Sequence, residues 1–442
     1  MKQQFYIKTF GCQMNKYDSD YISRTLIDKG YQKTDSIDKA HIILINTCVV
    51  RQKAEEKAIS FIGRLASLKK IKPGLILGVI GCAAQEKGMD LLKRFPYIDL
   101  ILGPRNIYYI DVYLSEIRKE MCCISSIDLD REIVSFPKPN GRLNGEVTSF
   151  LKIMEGCDNF CSYCIVPFVR GRESSLPAKD IIERARYLVS QGIREITLIG
   201  QNVNSYNVKN RALLTFPGLL EELDKIEGLS RLRFTTSHPK DISNELIFAF
   251  GKLNSLCPHI HLPVQSGSDN ILRLMNRGYT SGEYLDIIKR LKEIRPDIAI
   301  TSDIIVGFPG EEEEDFEDSL RLIEEVQFDN LFSFKYSERP TTKALHLTGK
   351  IEENEKQRRL SILQDRQKAI TISKNKQLEG TVQEILVEGL GKRGKNQQTG
   401  RTLGNKVVNF SSKTDLKGKS VMVYIVKAYQ NSLVGELVNI CN

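Results

Sequence analysis

The stretch Gly156-Cys157-Asp158-Asn159-Phe160-Cys161-Ser162-Tyr163-Cys164 sets three cysteines in a C-x3-C-x2-C run, with an aromatic residue just before the last one. Three thiolates at this spacing hold three corners of a cubane iron–sulfur cluster and leave the fourth iron without a protein ligand. An open position on a metal is a place for chemistry. A structural zinc site instead wants four ligands, usually as two short pairs. After Cys164 the next cysteine is Cys257 and the next histidine is His238, too far along to complete that pattern. A disulfide reading fails because three is odd and nothing in the chain suggests secretion.

Working outward, the run Ser149–Met154 reads as a strand that feeds directly into the cysteine loop. Further strand candidates are Glu195–Ile199, Arg231–Thr235, His259–Val264, Ile298–Val306 and Leu331–Tyr336, with amphipathic helices such as Ala178–Gln191 and Ser281–Ile294 between them. Six strand–helix units predict a partial barrel whose active edge lies at the carboxyl ends of its strands. Small and polar residues gather there: Gly200-Gln201-Asn202, Ser237-His238, Gln265-Ser266-Gly267, Asp303 and Gly307-Phe308-Pro309-Gly310. Glycine-rich strand ends suit a nucleotide-like ligand that needs close backbone approach. The run Glu311–Glu314 reads equally as an acidic helix start. His238, His259 and His261 read as packing or hydrogen-bonding residues.

Upstream, residues 1–140 alternate strand and helix. Phe5–Phe10, Ile42–Asn46, Leu75–Ile80 and Ile98–Leu102 are short apolar runs, separated by helical stretches at Asp18–Lys29, Gln52 to about Lys70, and Glu86–Phe95. This predicts a parallel sheet with helices on its faces. Cys12, Cys48 and Cys82 each follow one of the first three strands, so all three fall at the edge where open parallel sheets bind ligands. They are expected to meet in space as a second three-thiolate site with an open iron. Gly11 and Gly81, each before a cysteine, permit tight turns or close approach of a bulky ligand. Cys122-Cys123 reads as structural. The Pro/Gly-containing loop Phe136–Arg142 marks a domain boundary.

Downstream, Glu352–Lys368 is a charged helical connector. Residues 373–442 return to strands at Val382–Val387, Lys406–Phe410 and Ser420–Val426, which suggests a small β-barrel of the oligonucleotide-binding kind. This segment carries 11 Lys and Arg against 5 Asp and Glu, a net of +6, and leaves +3 for the other 372 residues. A basic module of this size suggests a polyanionic partner. Lys392, Arg393, Lys395 and Arg401 are its candidate phosphate contacts. The whole divides into segments 1–140, 141–372 and 373–442: an α/β fold with an N-terminal parallel sheet, a central partial (β/α)6 barrel and a C-terminal all-β barrel. The N-terminus lacks the apolar core of a signal peptide and no run is long enough to span a bilayer, so the expectation is a cytoplasmic protein without a membrane partner.

With these residues in place, the chain resembles the methylthiotransferases, a family of radical S-adenosylmethionine enzymes. The cysteine run with Tyr163 is similar to the radical S-adenosylmethionine signature, and the C-terminal barrel to a TRAM domain. Gly11-Cys12-Gln13-Met14-Asn15, Tyr17-Asp18-Ser19, Asn46-Thr47-Cys48-Val49-Val50-Arg51, Arg170-Gly171-Arg172-Glu173 and His261-Leu262-Pro263-Val264-Gln265-Ser266-Gly267 resemble the branch that modifies N6-isopentenyladenosine in tRNA. Ser337–Ala344 departs from the family, which usually carries extra Pro and Gly in this stretch.

The resemblance implies two 4Fe–4S clusters, one on Cys157, Cys161 and Cys164 and an auxiliary one on Cys12, Cys48 and Cys82. It also implies two S-adenosylmethionine molecules, with Gln201 and Asp303 as candidate contacts. The implied reaction adds a methylthio group to C2 of N6-isopentenyladenosine at position 37 in the tRNA anticodon stem-loop. A monomer served by a flavodoxin- or ferredoxin-like electron donor is expected. Removing hydrogen from an unactivated aromatic carbon is beyond side-chain acids and bases, which is why a cofactor radical is needed. Sister branches acting on threonylcarbamoyl-adenosine in tRNA or on a ribosomal-protein aspartate stay open, as does a non-catalytic iron–sulfur RNA-binding sensor.

Overall fold

The structure is a computed structural model and describes residues 3–49, 52–130, 145–208, 213–391 and 396–441. The expected boundary loop at Phe136–Arg142 therefore lies outside the described residues. So do Lys392, Arg393 and Lys395.

The N-terminal segment runs β1 (Gln4–Thr9), α1 (Gln13–Asp28), β2 (Gln32–Lys33), β3 (Ile42–Thr47), α2 (Gln52–Ile71), β4 (Ile76–Gly81), α3 (Cys82–Arg94), β5 (Leu100–Leu102), α4 (Ile110–Glu120) and β6 (Ile124–Ser126). The strands form one all-parallel sheet in the order β2-β1-β3-β4-β5-β6. Every residue of β3 and β4 is buried, as expected for strands covered on both faces. The two extra strands are short edge strands with no alternation to betray them. Two helices begin earlier than the sequence predicts. α1 starts at Gln13 rather than Asp18, and α3 at Cys82 rather than Glu86. Hence Cys12 caps one helix and Cys82 opens another.

The central segment contains β7 (Thr148–Lys152), β8 (Met154–Glu155), α5 (Val166–Arg170), β9 (Ser174–Ser175), α6 (Ala178–Ser190), β10 (Glu195–Ile199), α7 (Phe216–Asp224), β11 (Arg231–Phe234), α8 (Asn244–Lys252), β12 (His259–His261), α9 (Asp269–Leu274), α10 (Ser281–Ile294), β13 (Ala299–Val306), α11 (Glu313–Val326) and β14 (Asn330–Lys335). Its six main strands lie in two parallel sheets, β11-β10-β7 and β12-β13-β14, linked through a lone bridge between Leu232 and Leu256. β12 is half its expected length. Pro258 and Pro263 flank it and lack the N–H that a ladder needs. The core fills the space between the sheets' outer faces and the helices, with Leu198, Phe234, Ile304 and Phe316 among its buried members.

Helix α12 (Glu353–Lys376) packs on β14 and leads into β15 (Val382–Leu390), β16 (Gln397–Thr402), β17 (Val407–Ser411), β18 (Ser420–Ala428) and β19 (Leu433–Ile440). These close into a barrel in the order β15-β16-β17-β19-β18. The barrel is bolted to the central segment by two arginines of β11. Arg231 donates to the Arg401 carbonyl at 2.7 Å, and Arg233 to the Leu403 and Thr402 carbonyls at 2.7 and 2.9 Å. Asp329, just before β14, meets Lys406 at 3.0 Å and Lys374 at 2.6 Å.

Candidate active site

Strands β1, β3 and β4 are neighbours in the sheet, so Cys12, Cys48 and Cys82 stand on adjacent strand ends. A buried amide clasp fixes their spacing. Asn15 donates to Asn46 Oδ1 at 2.7 Å and to the Thr47 carbonyl at 3.0 Å, and Asn46 donates back to the Asn15 carbonyl at 2.8 Å. Gly81 lies at φ +94°, and a Cβ there would sit 2.5 Å from Asn46 Oδ1 and 2.6 Å from the Thr47 carbonyl. Gly11 is as crowded, with Cys48 Cβ 2.6 Å from where its own would be. Both glycines therefore make room for the clasp and the neighbouring strand end, in keeping with tight turns, one of the two readings the sequence offers. The thiol of Cys48 hydrogen-bonds Cys12 and, with the Arg170 charge, draws the Cys12 thiol down to about 5. Burial pushes Cys82 up to about 11.

The second thiol set sits on the loop between β8 and α5. Gly156 enters it at φ +82°, and a Cβ there would lie 2.1 Å from the Arg172 carbonyl. Its N–H is held by Gln201 Oε1 at 2.6 Å, and the Cys157 N–H donates to the Gly171 carbonyl at 3.3 Å. The end of α9 grips the loop from the other side. Ser162 Oγ donates to the Leu274 carbonyl at 2.7 Å, and Arg277 donates to Cys161 Sγ at 3.4 Å and to the Pro263 carbonyl at 2.7 Å. His238 Nε2 lies 4.0 Å from Cys161 Sγ. Burial raises Cys157 to about 11 and Cys164 to about 12. The atypical Ser337–Ala344 stretch also reaches this loop, because the Ala344 N–H donates to the Ser162 carbonyl at 2.8 Å.

Two crossed arginines join the thiol sets. Arg170, the last residue of α5, is 2% exposed. It donates to Asp18 at 2.8 Å, to Glu155 at 2.8 Å and to Cys82 Sγ at 3.3 Å. Arg105 reaches the opposite way, to the Arg170 carbonyl at 3.2 Å and the Arg172 carbonyl at 2.9 Å. Sequence reasoning noticed Arg170 only as part of a motif and missed Arg105 and Arg277. The one cue in the sequence was that Arg170 lies six residues beyond Cys164.

One cavity of about 2190 Å3 is lined by Cys12, Cys48, Cys82 and Cys164 together, and also by Gln201, Asp303 and Arg401. Gln201 is already engaged by Gly156. Asp303 faces the space from β13, 3.5 Å from His261 Nε2. Arg401 is paired with Glu388 at 3.0 Å, which offsets part of its charge. Among the described residues no three His, Cys, Asp or Glu side chains converge as a site for one ion. A cubane does not ask that of them, since each thiolate takes its own iron corner. Two all-cysteine sets, each with a cationic N–H donor aimed at a sulfur, fit iron–sulfur clusters better than hard cations.

Comparison with known proteins agrees with this architecture. Residues 4–103 match the family described as "Uncharacterized protein family UPF0004", residues 151–323 the radical SAM superfamily and residues 376–438 the TRAM domain. Among solved structures, a radical S-adenosylmethionine methyltransferase from Kitasatospora setae, TsrM, superposes with a TM-score of 0.56 at 12% identity, over 90% of this chain and 81% of its own. The cobalamin-dependent S-adenosylmethionine radical enzyme OxsB gives 0.52 at 13% identity, over 78% and 54%. At these identities the likeness shows the fold alone. Two curated relatives are named tRNA-2-methylthio-N(6)-dimethylallyladenosine synthase. The one from Syntrophus aciditrophicus is 50% identical over 99% of this chain and 95% of its own. The one from Geobacter metallireducens is 50% identical over 98% of each. With that identity along nearly the whole of both chains, on a fold whose cavity is lined by Cys12, Cys48, Cys82 and Cys164, the protein belongs to the tRNA-2-methylthio-N(6)-dimethylallyladenosine synthase family.

Proposed function

We propose that this enzyme attaches a methylthio group to C2 of N6-dimethylallyladenosine in the anticodon loop of tRNA. The observation that carries the reading is the shared cavity, whose lining includes Cys12, Cys48 and Cys82 as well as Cys164. Cys157, Cys161 and Cys164 hold one 4Fe–4S cluster, and Cys12, Cys48 and Cys82 the other. When bound, the clusters and two S-adenosylmethionine molecules supply a carbon-centred radical and a methylated sulfur.

The chain's own residues position and exclude. Gln201 fixes the start of the cysteine loop, so its part in holding S-adenosylmethionine is through that loop, while Asp303 offers a carboxylate to the cofactor from β13. Arg277 and Arg170 each aim a charged N–H at a ligand sulfur, which favours the thiolate form. The C-terminal barrel contacts RNA phosphates, with Arg401 on its cavity side and Lys392, Arg393 and Lys395 on the β15–β16 connection. The unstacked bases of a tRNA loop are the accessible targets for such a site. No helix among the described residues is long and apolar enough to cross a membrane. We take the enzyme to work in the cytoplasm as a monomer, with electrons from a flavodoxin- or ferredoxin-like protein.

Nucleoside mass spectrometry of tRNA from a deletion strain tests the reading. The methylthio derivative of dimethylallyladenosine should vanish and return with the wild-type gene, and should not return with Cys161→Ala or Cys48→Ala. In purified, anaerobically reconstituted protein, Cys161→Ala should abolish release of 5′-deoxyadenosine, while Cys48→Ala should retain some release without product. Persistence of the methylthio nucleoside in the deletion strain overturns the assignment. A protein that never cleaves S-adenosylmethionine with dithionite is the RNA-binding sensor instead.

A further inference from the structure

Phe332 and Phe334 on β14 are 46% and 38% exposed, although they lie inside the molecule on the wall of the shared cavity. Their exposure follows from the register. Phe332 pairs with Asp303 and Phe334 with Ile305, so these four side chains share the inner face of the sheet. Leu331, between them and the helices, faces outward into the core and is 9% exposed. β14 is the free edge of its sheet, as β7 is of the other. At the β7 edge α1, capped by Cys12, packs against the strand. At the far end of β14, Tyr336 stacks edge-on with Phe308 at 5.2 Å, and Phe308 with Tyr163 of the cysteine loop at 6.4 Å. The two phenylalanines thus line the cavity on the strand whose end reaches the cysteine loop through Tyr336 and Phe308. Two large apolar rings left facing an open cavity mark a surface suited to an apolar group.

We propose that Phe332 and Phe334 form the specificity wall that receives the dimethylallyl group of the substrate adenosine. This rests on the function proposed above and names the feature of the RNA that is read. Alternate residues on a strand stand about 7 Å apart on one face, a span that suits a purine edge carrying a five-carbon branched chain. A threonylcarbamoyl substituent would bring a carboxylate against the rings, whereas an uncharged hydrocarbon meets no such desolvation penalty.

The test uses the full-length, cluster-loaded enzyme and two synthetic anticodon stem-loops that differ only in bearing dimethylallyladenosine or adenosine at the target base. Affinity is read by fluorescence anisotropy and turnover by mass spectrometry. Wild type should prefer the dimethylallyl RNA. Phe332→Ala with Phe334→Ala should cut that preference by roughly tenfold or more, the scale of discrimination for a few methylenes in a hydrophobic pocket. Phe332→Leu with Phe334→Leu should restore most of it. An undiminished preference in the double alanine variant overturns the proposal. So does an equal loss on both RNAs, or a loss confined to S-adenosylmethionine binding, which would assign the rings to the cofactor. If wild type leaves the dimethylallyl RNA unmodified, the functional reading itself fails, and the inference with it.

Discussion

Arg170 is the side chain on which the two halves of the site meet, and its removal has a calculable cost. It is buried with Asp18, which is 1% exposed, and Glu155, which is fully buried. Both carboxylates bond it at 2.8 Å. Replacement by methionine keeps much of the volume and deletes the charge. Glu155 retains Lys152, whose ammonium lies 3.0 Å away, while Asp18 loses the cation that balanced it. Breaking a buried pair by removing one partner costs about 3–5 kcal/mol, mostly through the charge left behind. Arg170→Met should therefore lower the urea midpoint of the cluster-free protein by about 3–5 kcal/mol divided by the slope of its unfolding curve. The double variant Arg170→Met with Asp18→Asn removes the orphaned charge and should regain about half of the loss, because pairs in one network couple by about 0.5–3 kcal/mol. Arg170→Lys, which cannot span both carboxylates and Cys82, should fall between. A cost under about 1 kcal/mol for Arg170→Met, or strictly additive losses in the double variant, would refute the reasoning that this network joins the two segments.

Gly156→Ala places a Cβ against the Arg172 carbonyl in a backbone conformation that costs about 1–3 kcal/mol for an L side chain. Its iron and sulfide content, measured with Cys12, Cys48 and Cys82 all changed to Ala, should fall well below that of the same background with Gly156 intact. Arg233→Ala strands the buried carboxylate of Glu195, its partner at 3.0 Å, and frees the Thr402 and Leu403 carbonyls. It should cost about 3–5 kcal/mol and make the 377–381 linker sensitive to limited proteolysis, where wild type resists. His259 is held down to about 3 by burial and by the nearby Arg233 and His261 charges. Its folded pKa is below the unfolded value of 6.5, so its contribution is fully present above pH 6.5 and is lost as pH falls toward about 3. Relative to His259→Gln, wild type should lose about 1.4 kcal/mol between pH 7.5 and 5.5, read as the difference between their denaturation curves.

What could be read from the sequence is what local periodicity encodes. The apolar runs of β3 and β4 announce a sheet covered on both faces, and that alone puts Cys48 and Cys82 on one edge, since parallel neighbours present their carboxyl ends together. The reading falters where tertiary context overrides pattern. β16 is Gln-Gln-Thr-Gly-Arg-Thr, which no hydrophobic count identifies as a strand. Its inward positions are Gln398, Gly400 and Thr402, and Gln398 is buried because it can donate to the Thr414 carbonyl. β12 is shorter than the expected His259–Val264 because Pro263, within that run, has no N–H to give the ladder.

The larger omission was electrostatic. Arg170 and Asp18 are 152 residues apart in sequence, and neither has a periodic signature, yet they decide how the two thiol sets face each other. A strand-end rule can bring three cysteines to an edge, and a C-x3-C-x2-C run can build a loop. The rule and the run do not say that the two must open onto the same space. That depends on Arg170 pointing back to Cys82 and Arg105 pointing forward to the Arg170–Arg172 backbone. The crossed arginines tie the relative placement of the two sulfur-bearing centres to a buried hydrogen-bond network. Substitutions there should change how much S-adenosylmethionine cleavage is coupled to product before they change cleavage itself. A variant of Arg105 with lowered cleavage and unchanged coupling would show that the clamp serves only the cysteine loop.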